Sequence, residues 1–393
     1  MTISKLENYL MLMVECGASD MFLSVGARPN LKIEGKTMAT DDSPLDAEAM
    51  SEMVFSILDD EQRTTFEDEL ELNMALDLPD IGRFRVNIYR QRGNIAMVAR
   101  HIKQIIPSIE ELGLPQTLKS LIMEKRGLIL IVGATGSGKT TTLASMLDHR
   151  NNNETGHILT IEDPVEFLHD HKMSVVDQRE VGIDTLSYSQ ALKSALREAP
   201  DVIMIGEIRD AETMQHALHF AETGHLCLAT LHASNTSQAI ERIINFFPLE
   251  FQKRVMHDIS LQLRAIVSQR LIESRSARRA VAVEILQNTA NIADLIRSGN
   301  MSEIKQVMHK HAPEGSLTFD QSLYDLYKNK KITAEDAVAY ADSKHDLRLR
   351  IDFGKQTPLS EIDTSPAKPA VAQQHRFVYP AGKKRSTSDG LAY

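Results

Sequence analysis

Residues 133 to 140 read GATGSGKT, which fits the phosphate-binding spacing G-x-x-x-x-G-K-[ST] at every fixed position. Gly133, Gly136 and Gly138 leave the backbone bare enough to curl, so that successive N–H groups can point at an anion. The positive end of a following helix adds to that attraction. Lys139 supplies a mobile point charge for the β- and γ-phosphates, and the Thr140 hydroxyl can hold Mg2+. Together with Thr135, Ser137 and Thr141 these residues form the expected ATP site. The context is the required one, because the apolar run 128–132 precedes the loop and the helix-prone stretch 140–149 follows it.

Three further segments carry groups suited to the same chemistry. VIMIGE, residues 202–207, reads as a buried strand ending in a carboxylate. In a phosphate-loop fold such a strand delivers its acid close to the γ-phosphate, so Glu207 is the candidate for orienting or activating the attacking water. Gly206 stands where many ATPases carry the aspartate that supports Mg2+. ILTIEDPVEF, residues 158–167, offers substitutes in Glu162, Asp163 and Glu166. Mg2+ keeps several waters and takes few direct carboxylates, so Asp163 is expected to act through water, with Glu162 among the catalytic acids. LCLATLH ends at His232, placed to donate to a γ-phosphate oxygen and so distinguish ATP from ADP. His216 and His219 with Glu212 have ligand-like spacing, but no second acidic or thiolate cluster joins them, and no metal site is assigned there.

The elements that must position these groups follow from patterning. At 393 residues two domains are the natural expectation. Residues 1–102 read as a small α/β unit, with a helix over 4–16, short strands at 21–25 and 30–33, and a helix over 46–58. RFRVNIY, 83–89, alternates as a half-buried strand does, with 95–102 as its partner. Pro107, Gly113 and Pro115 mark 103–115 as a linker. Residues 116–353 alternate helices with apolar strands at 128–132, 157–161, 202–205 and 226–231, the composition of a mostly parallel sheet covered on both faces. The helices after Ile243 are expected to form a bundle on that core. Residues 354–393 are polar and proline-rich, and read as a disordered tail with a solvated cluster at Lys383, Lys384 and Arg385.

Basic residues number 44 and acidic ones 54, a net charge of −10, which points away from a dedicated nucleic-acid partner. Only Cys16 and Cys227 are present, so neither a disulfide framework nor a zinc ribbon is expected. The start has no secretory pattern and no apolar run reaches spanning length, which gives a cytoplasmic expectation.

The order GATGSGKT, ILTIEDPVEF, ALREAPDVIMIGEIRD, TGHLCLATLH resembles the Walker A, Asp-box, Walker B and His-box series of the secretion ATPases that power type IV pili. SDMFLSVG (19–26), GHLCLATLHASN (224–235) and ADSKHDLRL (341–349) resemble in particular the PilT/PilU-type retraction ATPases. The resemblance implies a PAS-like N-terminal domain followed by a RecA-like ATPase domain, assembled as a homo-hexamer with ATP and Mg2+ held between subunits. It also implies that Arg85 and Arg100 reach the triphosphate, where the planar guanidinium suits spreading phosphoryl charge. The implied partners are a PilT-like retraction ATPase and a PilC-like platform protein of the inner membrane, and the implied work is ATP-driven pilus retraction in twitching motility. The four-cysteine motif of the extension type is missing. Where retraction motors carry AIRNLIRE, this chain reads NIADLIRS, residues 291–298, which fits an accessory motor acting with its PilT-like partner. A nucleotide-binding adaptor with little turnover is the alternative.

Overall fold

The computed structural model describes residues 4–33, 35–79, 81–102, 105–275, 279–310 and 315–356. The expected tail from 357 onward, with its basic cluster, and residues 103 and 104 of the expected linker lie outside the described residues. Two units are distinguished, residues 1–348 and 349–393. In the second, the described residues are helical through Gln356, so the stretch expected as tail begins inside the helix Lys344–Gln356.

Six strands, β1 (Asp20–Ser24), β2 (Asn30–Ile33), β3 (Lys36–Ala39), β4 (Glu71–Leu78), β5 (Gly82–Gln91) and β6 (Asn94–Ile102), form an antiparallel sheet of order β3-β2-β1-β6-β5-β4. Alternation along β5 buries Phe84, Val86 and Ile88 and leaves Arg83, Arg85 and Asn87 on the other face. The buried side packs with Leu6, Leu10, Met13, Met50, Val54 and Phe66 from the helices Lys5–Glu15, Ala47–Phe55 and Asp60–Glu69. Local signals start these helices: in the first, Ser4 Oγ accepts from the Glu7 N–H at 3.1 Å and Glu7 accepts from the Ser4 N–H at 2.6 Å, a capping box. The two-residue turn Arg92-Gly93 has positive φ at both positions, 52° and 81°, the hand that matches strand twist and fixes the β5–β6 register. That register sets Arg85 opposite Arg100, and Arg100 opposite Asp20 on β1.

The second sheet holds β7 (Gly127–Val132), β8 (Gly156–Glu162), β9 (Ser174–Glu180), β10 (Val202–Ile205), β11 (Leu226–Leu231), β12 (Leu263–Ile272) and β13 (Ala280–Gln287), in the order β13-β12-β7-β11-β10-β8-β9. Every pair is parallel except β12–β13. Successive residues of β7 enter opposite cores, Leu128, Leu130 and Val132 on one face and Ile129 and Ile131 on the other. Burial on both faces is why these strands are continuous apolar runs. Ile109 and Leu114, from the stretch expected as linker, are buried in the second of these cores.

The expected helical bundle after Ile243 needs correcting. Helices are there, but 263–272 and 280–287 are strands that widen the sheet. A short apolar run buried on both faces has no period to separate strand from helix.

Parallel pairing aligns the C-terminal ends of β7, β8, β10 and β11 along one edge, with Val132 level with Leu231, and Ile205 with Ile161 and Ala229. The phosphate loop, Glu162-Asp163, Glu207 and His232 all emerge at that edge, where open α/β sheets bind ligands.

Candidate nucleotide-binding and hydrolysis site

Glycine is required in the loop by space as well as by conformation. A Cβ at Gly133 would lie 2.4 Å from Ser137 Oγ and 2.7 Å from the Gln269 carbonyl oxygen, and Gly136 and Gly138 have φ of 76° and 91°. Gly138 precedes the helix Lys139–Asn153 and offers no side-chain cap. The first-turn N–H groups therefore face the loop's concavity without a built-in acceptor, as an anion site needs. Lys139 Nζ donates to the Gly133 and Ala134 carbonyls, each at 3.1 Å. Burial lowers the Lys139 pKa, while the charges of Glu207 and Glu166 oppose that shift.

Thr135, Gly136, Lys139 and Thr140 line a cavity of about 210 Å³ together with Glu162, Asp163, Glu166, Glu207 and His232. Ser137 turns into the base of the loop, its Oγ buried and unpartnered among the described residues. The Thr141 carbonyl accepts from Ser145 Oγ at 2.8 Å within the helix.

Glu207 is held from two sides. Its Oε1 stands 3.0 Å from His232 Nε2, and its Oε2 accepts from Arg209 Nε at 2.8 Å. The nearest Arg209 nitrogen to Asp163 Oδ2 is 3.7 Å away. Glu162 lies deeper, accepting from Thr160 Oγ1 at 2.8 Å and from Gln178 Nε2 at 3.2 Å, and burial pushes its pKa up to about 7. A Cβ at Gly206 would lie 2.7 Å from the Tyr188 hydroxyl and 3.2 Å from the Ile161 carbonyl oxygen. The tyrosine takes the space an aspartate would need there. Tyr188 and Thr230 line the cavity as well; neither stands out in the sequence, since Tyr188 lies among the ordinary polar residues Ser187, Ser189 and Gln190 and Thr230 is a single hydroxyl inside the apolar run LCLATLH.

The oxygen donors fit a hard cation that arrives with its phosphates. The Thr140 hydroxyl and the Asp163 and Glu166 carboxylates face one cavity, and among the described residues no set of three His, Cys, Asp or Glu side chains forms a cage. Such a donor set suits Mg2+, which keeps waters and relies on substrate oxygens.

Arg85 and Arg100 are neighbours on the N-terminal sheet and do not line this cavity of their own chain. Arg100 Nε donates to Asp20 Oδ1 at 2.8 Å, with Lys32 Nζ 3.9 Å from the other oxygen of that buried acid.

The chain is similar to known proteins. The type IV pilus ATPase PilU of Pseudomonas aeruginosa is 50% identical over 359 residues, which span 91% of this chain and 94% of that protein. The pilus retraction ATPase PilT of the same organism is 40% identical, over 82% of this chain and 93% of its own. A crystal structure of the pilus retraction motor PilT with bound ADP superposes with a TM-score of 0.81 at 39% identity, covering 87% of this chain and 98% of that one. Among the described residues no helix is long and apolar enough to cross a membrane. A family profile matches residues 72–322, from β4 through the phosphate loop, the acids and His232 into the helix Phe319–Lys328, and with these relatives it makes the chain a member of the type II/IV secretion system protein family.

Proposed function

We propose that this chain is an ATP-hydrolysing motor of type IV pilus retraction, working as a homo-hexamer at the cytoplasmic face of the inner membrane. The observation that carries the reading is the single cavity at the strand ends that gathers Lys139, Glu207 and His232. In the proposed reaction the loop amides and Lys139 take the β- and γ-phosphates, the lysine leaving the carbonyls of Gly133 and Ala134 that it now satisfies. Thr140, with Asp163 through water, would hold Mg2+, whose charge offsets that of the phosphates. Glu207 accepts a hydrogen bond from the attacking water and sets its approach. His232, joined to Glu207, donates to the γ-phosphate and registers its loss. Arg85 and Arg100 steady the departing charge from a neighbouring subunit.

In this reading residues 1–102 form the PAS-like domain, 103–115 the linker and 116–353 the RecA-like domain. Closure of the site transmits strain to a membrane platform protein, and a PilT-like ATPase is the working partner. Similarity to PilU and PilT over most of each chain supports the assignment to pilus machinery.

Phosphate release from the purified protein tests it. Lys139→Ala and Glu207→Gln are each expected to lower kcat by at least about a hundredfold, the usual scale for a lost electrostatic or positioning group. Equal, background release from all three proteins would instead support the adaptor reading.

A further inference from the structure

Three places outside the assigned roles carry unexplained chemistry. The groove of about 370 Å³ lined by Phe247, Phe251, Arg254 and Asp258 mixes apolar side chains with charges of both signs and does not specify an occupant. The buried Asp20 between Arg100 and Lys32 belongs to the N-terminal sheet's own pairing. The third is Arg209, which stands just past the end of β10 and faces acids from two different strands.

We infer that Arg209 is a positioning residue for hydrolysis: its guanidinium joins Glu207 to Asp163 and so fixes the plane in which the Glu207 carboxylate meets the attacking water. The inference rests on the proposed role of Glu207 and adds a residue to it. A glutamate carboxylate sits on a side chain of three torsions, and one hydrogen bond leaves it free to rotate. Here both oxygens are restrained from opposite sides, Oε1 by His232 at 3.0 Å and Oε2 by Arg209 at 2.8 Å. The Arg209 side chain is itself 58% exposed while that of Glu207 is 19% exposed, so the arginine closes the solvent side of the acid and is not part of the core. Its second reach, 3.7 Å to Asp163 Oδ2, ties the end of β10 to the turn after β8. Those two strands are adjacent and in register, with Ile205 level with Ile161. Arg209 therefore stands between the acid proposed to orient water and the acid proposed to support the metal. A planar fork offers several donors in fixed directions and so sets the orientation of the carboxylates it meets, whereas a lysine ammonium is a point charge on a flexible stem. The phosphate loop makes no use of Arg209, which is absent from the lining of the cavity.

Turnover and nucleotide grip should accordingly separate. In Arg209→Ala, kcat is expected to fall about tenfold to a hundredfold, the range for residues that orient another group, with KM for ATP and the Kd for a fluorescent ADP analogue changed less than about threefold. Arg209→Lys should recover part of the lost kcat. Melting temperatures of both variants should stay close to that of the parent. Unchanged kcat in Arg209→Ala while Glu207→Gln is inactive overturns this inference and leaves the proposed function standing; full turnover by Glu207→Gln removes the proposed function itself. A weakened ADP Kd, or a melting temperature lowered in both arginine variants, makes Arg209 a binding or scaffold residue and also overturns the inference.

Discussion

His169 lies in the loop after β8, largely packed, with its Nδ1 buried and unpartnered among the described residues. Burial is the main cause that pushes its pKa down from 6.5 to about 4, with Lys172 adding to the shift and Asp148 and Asp170 opposing it. The folded protein thus binds fewer protons than the unfolded chain between these two values. The stabilising effect of a neutral ring is complete above the unfolded pKa near 6.5 and is lost as pH falls toward 4. A full shift of this size corresponds to about 3 kcal/mol, reduced here because the ring keeps partial access to water. His169→Gln, which cannot take up the proton, should match the parent by urea denaturation at pH 7.5 and lose measurably less stability at pH 5. Parallel losses in the two proteins would assign the acid sensitivity elsewhere. At this scale the legible residues were those held in fixed spacing by the phosphate chemistry, Gly133 to Thr140. Tyr188 was not legible, because what places it at Gly206 is the return of a helix far along the chain, and local order does not encode that contact.

At the scale of elements, the loop that carries His232 is fastened to the C-terminal helices by one side chain of β12. Arg270 donates to the Ser234 carbonyl at 3.2 Å and to the Tyr340 carbonyl at 2.8 Å, pairs with Asp342 at 3.0 Å, and covers the Phe319 ring at 3.7 Å from its centroid. Lys305 completes the node at 2.7 Å from the other Asp342 oxygen. ADSKHDLRL, which in sequence marked only a resemblance, supplies the Asp342 of this junction. Arg270→Ala leaves the Tyr340 carbonyl without this donor, takes one partner each from the Ser234 carbonyl, which keeps Ser268 Oγ at 3.4 Å, and from Asp342, which keeps Lys305, and removes a stacked plane; it should destabilise by about 1–3 kcal/mol in chemical denaturation, and a loss near zero would mean that water replaces every contact. Elements of this region were also the least legible. Strands with period two or with turn-bounded apolar runs, such as 83–89 and 226–231, were read within a few residues of their bounds. β4 is not legible because it buries little beyond Met74, and β9 because its two valines, Val175 and Val176, are followed by the unbroken polar run Asp177 to Glu180 at a sheet edge. β12 and β13 are not legible within the helical region expected after Ile243, because strand identity there comes from pairing with β7 and with each other.

At the scale of the whole molecule, one geometric fact separates the proposed ring from a self-sufficient subunit. Lys139 and Glu207 line the cavity, whereas Arg85 and Arg100 lie on another sheet and do not line it. If these arginines act on the phosphates, the site is completed by a second copy through a head-to-tail contact, the kind of interface that closes into rings. Subunit mixing makes this measurable. Lys139→Ala protein has a dead cavity and intact arginines, and Arg100→Ala protein has the reverse, so each alone should be nearly inactive. Co-assembled in equal amounts, roughly one interface in four pairs an intact cavity with an intact arginine by chance, and ATPase activity should reappear above that of either parent. Arginines acting only within their own chain would give no such recovery, since no mixed ring then contains a complete site. A mixture that stays at the level of its inactive parents, under conditions where light scattering shows co-assembly, would therefore refute the shared site and with it the role given to Arg100.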